Sequence, residues 1–165
     1  MPMADSVMYS EQLGQLNGVL SRLRSHANAR AAFLIDRNGQ QIASTGEDLE
    51  AMDATALASL TAGNVASTDA IAKLIGEREF FALVHEGEKD NLHISLVNSR
   101  IIMVILFDER SSLGLVRLRV RQNNPDLVEI FEVIEQRHAQ EVALAGANAS
   151  PFAEITDDDI DSLFS

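Results

Sequence analysis

The chain has 165 residues and a formal net charge of −12, with 46% hydrophobic and 23% charged residues. This length and composition are those of an ordinary globular domain that buries a substantial core. The sequence contains no cysteine, which excludes disulfides, a thiol nucleophile and cysteine-ligated metals, and fits a cytoplasmic protein. The acidity disfavours nucleic acid and anionic membranes as partners and is compatible with a basic protein surface.

Neither a targeting segment nor a membrane span is expected. The N-terminal residues MPMADSVMYSEQ lack a basic region followed by an apolar stretch, so they do not resemble a signal peptide. The longest purely apolar run is residues 101–107, far shorter than a bilayer requires. We therefore expect no membrane insertion.

A helix and a hairpin open the predicted fold. Residues 10–24 carry apolar side chains at alternating spacings of four and three, which is typical of one helical stripe. A short apolar strand at 31–35 is followed by Asn38-Gly39, a strong hairpin signal because both residues tolerate positive φ. The polar return strand at 40–44 is predicted to lie at a sheet edge. The helical stripe consists of Tyr9, Leu13, Leu16, Leu20 and Leu23.

A second helix is predicted over residues 54–75, with Asp53 as N-cap and Gly76 just past its end. Three strands joined by tight turns follow it, and the last of them is apolar at every position, as expected of a central strand covered on both faces. These strands span residues 80–85, 92–97 and 101–107. The apolar side of the second helix is marked by Leu57, Leu60, Ile71, Leu74 and Ile75.

The last element is ambiguous by pattern alone. Residues 116–121 alternate strictly between apolar and basic, as in a strand, but a helical stripe runs through the longer segment 113–137. The length of the segment favours one helix over a strand followed by a helix. Pro125 either bends this helix or ends it, in which case a second helix begins there. The predicted order is α-β-β-α-β-β-β-α, an α+β fold with a five-stranded, mostly antiparallel sheet and helices on its faces.

This order divides the chain into three parts. Residues 1–137 form the predicted domain, the Ala- and Gly-rich residues 138–150 a linker, and residues 151–165 an acidic-hydrophobic segment.

The sequence shows no catalytic motif. It has neither phosphate-binding glycine loop nor a Gly-x-Ser-x-Gly elbow, and we expect no catalytic residue, metal or cofactor. His85 and His93 lie on neighbouring strands and could face each other, although two surface histidines are the simpler interpretation. Four arginines could include a finger for a partner's GTP hydrolysis, but we favour placing them on the solvent side of the last helix. They are Arg110, Arg117, Arg119 and Arg121.

The second helix carries a ridge of small side chains. Alanines recur every four residues at positions 58, 62, 66 and 70, which would let another backbone approach closely. The ordinary explanation is that alanine is the best helix former. Glycine and β-branched threonine in the same helix are not chosen for propensity, so spacing alone leaves docking and propensity equally favoured.

The C-terminal segment has the pattern of a short helix that folds on a partner. Thr156 can cap a helix with Asp159 in a capping box, and Ile155 and Ile160 form a hydrophobic staple. Three aspartates occupy the first turn, where the helix dipole favours anions. Such a segment is too short to be stable alone and suits a partner's groove. We favour this over a disordered terminus or a helix packed on its own domain.

These features together resemble the roadblock/dynein light-chain family, and within it the bacterial members that regulate a small Ras-like GTPase. The order of elements is that of the family, and the resemblance covers nearly the whole chain. Pro125, inside the expected last helix, departs from the family pattern. The matching stretches are residues 31–39, 57–77, 85–87 with Asp90, 113–119 and 150–164.

The resemblance implies a homodimer with joined sheet edges and paired second helices. It implies that the dimer binds one GTP-loaded Ras-like GTPase and stimulates its hydrolysis, without being an enzyme itself. The family inserts no arginine finger and instead reshapes the GTPase, so that the partner's own Arg and Gln reach the γ-phosphate. The implied contact on the second helix falls on Ala62, Ala66, Ala70 and Lys73.

The resemblance further implies that the C-terminal segment binds the GTPase at a separate site and promotes nucleotide exchange. It implies a cytoplasmic regulator of bacterial cell polarity and motility, concentrated at a cell pole. Two alternatives remain open: an adaptor that tethers partners without changing hydrolysis, and a ligand-sensing domain, for which the sequence shows no convergent polar cluster. The expected contact residues of the C-terminal segment are Phe152, Ile155, Asp157, Asp158, Asp159, Ile160, Leu163 and Phe164.

Overall fold

The computed structural model describes residues 3–147. It contains three helices, five strands and one 3₁₀ turn within that range. The predicted α-β-β-α-β-β-β-α order and the α+β class are confirmed. The elements are α1 (Met3–Ala27), β1 (Ala31–Asp36), β2 (Gln41–Gly46), the 3₁₀ turn (Leu49–Ala51), α2 (Ala54–Leu74), β3 (Ala82–Glu86), β4 (Asn91–Leu96), β5 (Ile101–Phe107) and α3 (Leu113–Ala147).

The five strands form one sheet in the order β2-β1-β5-β4-β3, and every pair of neighbours is antiparallel. β5 lies at the centre with all seven residues buried, as its continuous apolar run predicts. β2 lies at one edge, as its polar sequence predicts, and β3 lies at the other. The sheet therefore has two different edges and a fully covered middle.

The two faces of the sheet are covered by different helices. Phe33 and Val104 point to one face and pack with Val65 of α2 in a continuous core. Alternation along β1 and β5 sends Leu34 and Met103, both fully buried, to the other face. α1 packs against β1 and β2 on this second face, and α3 borders β4 there. The sheet thus separates α2 from α1 and α3.

The first hairpin differs in detail from the predicted Asn-Gly turn. Gly39 has φ of 86°, but Asn38 does not adopt positive φ. The Asp36 carboxylate accepts from the backbone N–H groups of Asn38 and Gln40, each at 2.9 Å, and so closes a longer loop. Glycine is still required, because a Cβ at position 39 would lie 3.0 Å from the Cα of Ser59 in α2.

α3 is continuous through Pro125. The buried Asn123 donates to the carbonyl of Arg119 at 2.7 Å and accepts from Arg22 of α1 at 3.0 Å. Arg22 also forms a salt bridge with Asp126 at 2.6 Å. Because α1 holds the helix on both sides of Pro125, the helix neither ends nor restarts there.

The helices extend beyond their predicted bounds. α1 covers residues 3–27 instead of 10–24, and α3 continues to Ala147. Residues 138–147 are therefore helical where an Ala- and Gly-rich linker is predicted at 138–150, since residues 138–147 hold four alanines, the best helix formers, and only one glycine. The predicted boundary at 137 falls inside a helix. The described residues form two compact units instead, the first ending at Ile130 and the second beginning at Phe131.

Candidate partner-binding surface

α2 is fixed firmly to the rest of the first unit. The Asp53 carboxylate accepts from the N–H of Ala56 at 2.9 Å, which confirms the predicted N-cap. Asp69 forms a 2.6 Å salt bridge with Arg37 of the first hairpin. Gly76, with φ of 82°, turns the chain away just past the helix end. The exposed side of α2 is thus presented on a rigid support.

The alanine ridge winds from the buried side of α2 to the exposed side. Ala58 and Ala62 are buried, with Ala62 only 8% exposed, whereas Ala66 and Ala70 are exposed. The reason is geometric, because each step of four residues rotates about 40° around a helix axis. Ala62 is therefore a core residue, and the exposed part of the predicted contact consists of Ala66, Ala70 and Lys73.

Because Ala62 is buried and Ala66 is exposed, substitution by arginine is predicted to destabilise the protein at position 62 but not at position 66. Ala62→Arg is expected to lower the free energy of unfolding by about 3 kcal/mol, because it forces an unpaired guanidinium against the sheet. Ala66→Arg serves as the matched control and is expected to change that free energy by less than about 0.5 kcal/mol, since its side chain enters solvent. Urea denaturation followed by circular dichroism measures both. Equal stability of the two variants would contradict the burial of position 62.

Large apolar side chains lie on the opposite side of α2 from the core. Leu60 is 74% exposed and Leu74 is 86% exposed. The predicted apolar side of α2 is therefore mostly solvent-facing, and the sheet is contacted instead by small residues such as Ala58 and Val65. We call the exposed set the apolar strip, defined as Leu60, Gly63, Ser67, Ala70, Ile71 and Leu74.

The apolar strip lies beside a sheet edge that is open in this structure. Among the described strands β3 pairs only with β4, so one side of its backbone is available for a further strand. The Asn64 side chain of α2 contacts Nε2 of His85 in β3 at 3.2 Å, which holds helix and edge together. Phe81, just before β3, is 83% exposed. An exposed apolar surface joined to an open strand edge is typical of a protein interface.

Arg110 is held in ion pairs and is not on the last helix, which begins at Leu113. Its guanidinium donates to Glu47 at 3.2 Å and to Asp108 at 3.1 Å. These hydrogen bonds raise the pKa of Arg110 and lower the pKa values of Glu47 and Asp108. Arg110 therefore ties β2 to the segment after β5 and is unsuited to insertion into a partner's active site.

The other three candidate arginines lie on α3. Arg119 is partly buried and donates to Gln122 at 2.9 Å, whereas Arg117 and Arg121 are exposed, as predicted. α3 covers the sheet face opposite to α2. The exposed arginines of α3 therefore lie on a different face of the sheet from the apolar strip.

The two strand histidines do not face each other. In the β3–β4 register His93 is opposite Val84, while His85 is opposite Leu92, so the two rings project from opposite faces of the sheet. His85 is exposed, but His93 is only 2% exposed, which corrects its prediction as a surface histidine. Burial, with a contribution from the nearby Arg117 charge, lowers the pKa of His93.

Residues 3–147 contain no group of three or more potential metal ligands of the His, Cys, Asp and Glu type. Within the same range no helix is both long and apolar enough to cross a bilayer. The predicted contacts of the C-terminal segment, from Phe152 to Phe164, lie outside the described residues.

Comparison with known proteins places this fold in a family. The Roadblock/LC7 domain matches residues 16–107. Among solved structures, Myxococcus xanthus MglB is 50% identical, covers 73% of this chain and 90% of its own, and superposes with a TM-score of 0.70. The gliding protein MglB of Thermus thermophilus is 34% identical, with 73% and 91% covered and a TM-score of 0.69.

A third structure, described as MglB with tetrameric arrangement, is 35% identical, with 73% and 90% covered and a TM-score of 0.68. The comparison with curated proteins found no match. The matched residues run from α1 through β5 and so include α2 and the open β3 edge. The chain belongs to the Roadblock/LC7 family.

Proposed function

We propose that this protein is a homodimeric GTPase-activating protein for a small Ras-like GTPase of the MglA kind, and that it regulates bacterial cell polarity and motility. The observation that carries the proposal is the apolar strip on α2, an exposed surface of small and apolar side chains. It occurs in a chain whose sequence is 50% identical to that of Myxococcus xanthus MglB. The protein has no hydrolytic role of its own, and it acts on the GTP-bound partner in the cytoplasm, concentrated at a cell pole.

The open β3 edge supports the dimer. A second copy can add its own β3 edge in antiparallel register, which satisfies the free backbone groups and extends the sheet. Phe81, one residue before β3, lies beside that edge and would be removed from water at the same time. Two α2 helices then lie next to each other and form one composite surface for a single GTPase.

Ala66, Ala70 and Lys73 are the proposed points of contact with the GTPase. The two alanines allow close approach of the partner backbone, and Lys73 adds a positive charge at the end of a helix whose only other charged residue, Asp69, is paired with Arg37. Apolar contact of this kind is sensitive to added bulk and charge.

The arrangement of arginines favours activation without a finger. Arg110 is engaged by two carboxylates, and the exposed arginines of α3 lie on the sheet face opposite to the strip. The dimer therefore stimulates hydrolysis by binding one GTPase conformation more tightly than another, which increases the population in which the partner's own Arg and Gln reach the γ-phosphate.

The C-terminal segment is proposed as a second contact. Between Phe152 and Phe164 it combines apolar residues with four aspartates, which suits a groove that is apolar at its base and basic at its rim. Binding there adds affinity through effective concentration and can also promote nucleotide exchange.

Multiple-turnover GTP hydrolysis tests the proposal against the adaptor alternative. The cognate GTPase is assayed alone and with saturating full-length protein. We expect the rate of GTP hydrolysis to rise at least about tenfold, because completing the catalytic arrangement of a GTPase active site accelerates the reaction. A GTPase whose catalytic Gln is replaced serves as the control and should not respond, because the partner's own residues perform the chemistry. Binding without any rise in rate would overturn activation and leave the adaptor.

A further inference from the structure

A groove of about 350 Å³ opens on the sheet face opposite to the apolar strip, between α3 and the strands β3 and β4. Its volume is that of a site for a small organic molecule. Its floor is polar, its rim carries two arginines, and one wall is apolar. None of these features is needed for docking at the strip, because the sheet separates the two surfaces.

The floor contains two buried side chains with polar atoms that lack partners. His93 and Ser95 of β4 both line the groove, and both are more than nine-tenths buried. Nδ1 of His93 and Oγ of Ser95 have no hydrogen-bond partner among residues 3–147. Leaving such an atom unpaired costs about 1–3 kcal/mol, and an aliphatic residue would fill either position without that cost. Oδ1 of Asn124, which also lines the groove, likewise has no partner among the described residues. These orphan groups together point to a polar ligand.

The rim supplies positive charge. Arg117 and Arg121 are four residues apart on α3 and thus lie on the same side of the helix, where both border the groove. Both are exposed, and neither forms a salt bridge with any described residue. Their positive charge is therefore available to an anion, whereas Arg30, Arg37 and Arg110 bind carboxylates of this chain.

The number and arrangement of donors define the ligand. Two guanidiniums, one hydroxyl and one imidazole N–H match the three terminal oxygens and the double charge of a phosphate monoester, whereas a carboxylate has only two oxygens and a single charge. The groove is larger than a phosphate group alone. Val120 and Pro125, which lie away from the proposed dimer edge, provide apolar surface for an attached organic group.

We infer that this groove binds the phosphate monoester of a small organic molecule, with Arg117 and Arg121 at its charged oxygens and Ser95 and His93 beneath them. The neutral His93 imidazole, in its Nδ1–H tautomer, donates to the phosphate, and the Ser95 hydroxyl donates a further hydrogen bond. The site stands independently of GTPase activation, because it uses neither α2 nor the C-terminal segment.

Isothermal titration calorimetry on the full-length protein tests the site, with phenyl phosphate as the probe. We expect a dissociation constant below about 1 mM and a value roughly tenfold weaker for inorganic phosphate, which lacks the apolar group. Arg117→Gln and Arg121→Gln are each expected to weaken phenyl phosphate binding by at least tenfold. Arg100→Gln, at an exposed position away from the groove, is the matched control and should leave binding unchanged.

Ser95→Ala separates binding from folding. It removes an unsatisfied buried hydroxyl, so the melting temperature should not fall, while affinity for phenyl phosphate should fall severalfold. Chemical shifts of the His93 ring on addition of the probe to the unmodified protein provide a test that needs no variant. The assignment would be overturned if phenyl phosphate did not bind at about 10 mM. It would also be overturned if Arg100→Gln weakened binding as much as Arg117→Gln and Arg121→Gln do, or if benzoate bound as tightly as phenyl phosphate.

Discussion

Replacing Ala70 by arginine is expected to remove stimulation of GTP hydrolysis while leaving the protein folded. Position 70 lies in the middle of the apolar strip and is exposed, so the free protein accommodates the longer side chain in solvent. At an interface the same guanidinium must be buried without a partner, which costs about 3 kcal/mol and weakens the contact roughly 100-fold. GTP turnover by the cognate GTPase should then return to its rate in the absence of this protein.

Ala139→Arg is the matched control, because Ala139 is also exposed on a helix and gains the same bulk and charge away from α2. It should stimulate hydrolysis normally. Light scattering of both variants distinguishes loss of the GTPase contact from loss of the dimer, since the strip also borders the proposed dimer edge. A folded Ala70→Arg protein that stimulates hydrolysis normally would show that α2 is not the activating surface.

Deleting residues 150–165 is expected to weaken binding of the GTPase at least tenfold without changing the stability of the domain. In the helix predicted to begin at Thr156, Ile160, Leu163 and Phe164 share one face, and each contributes about 1.5–3 kcal/mol when buried. Ordering the segment costs about 2–5 kcal/mol and offsets part of this gain. The affinity is measured by calorimetry with the GTP-loaded partner, and stability by thermal unfolding of the deleted and full-length proteins.

Point variants in the full-length chain sharpen this test. Leu163→Ala with Phe164→Ala should reproduce most of the loss, whereas Ser165→Ala, which changes no apolar anchor, should bind normally. If deletion lowers the melting temperature by several degrees, the segment belongs to the core of its own domain, and the idea of a partner-binding segment fails.

Much of the fold could be predicted because its signals are local. The apolar run of β5 indicated a central strand, the polar sequence of β2 an edge, and Asp53 a helix start, and the structure confirms each. These features depend on periodicity and capping within a few residues. Element ends were less predictable: α3 runs through Pro125 because Arg22 of α1 binds residues on both sides of the proline.

The sequence by itself determined the α+β order, the central strand and the family of this protein, because these depend on neighbouring residues and on spacing along the chain. Only the tertiary structure decided which side of α2 is buried, since Ala58 and Val65 face the sheet while Leu60 and Leu74 face solvent. It also decided that His93, Ser95, Arg117 and Arg121 share one groove. The physical reason is that burial and convergence depend on which elements pack together, and no local pattern encodes that choice.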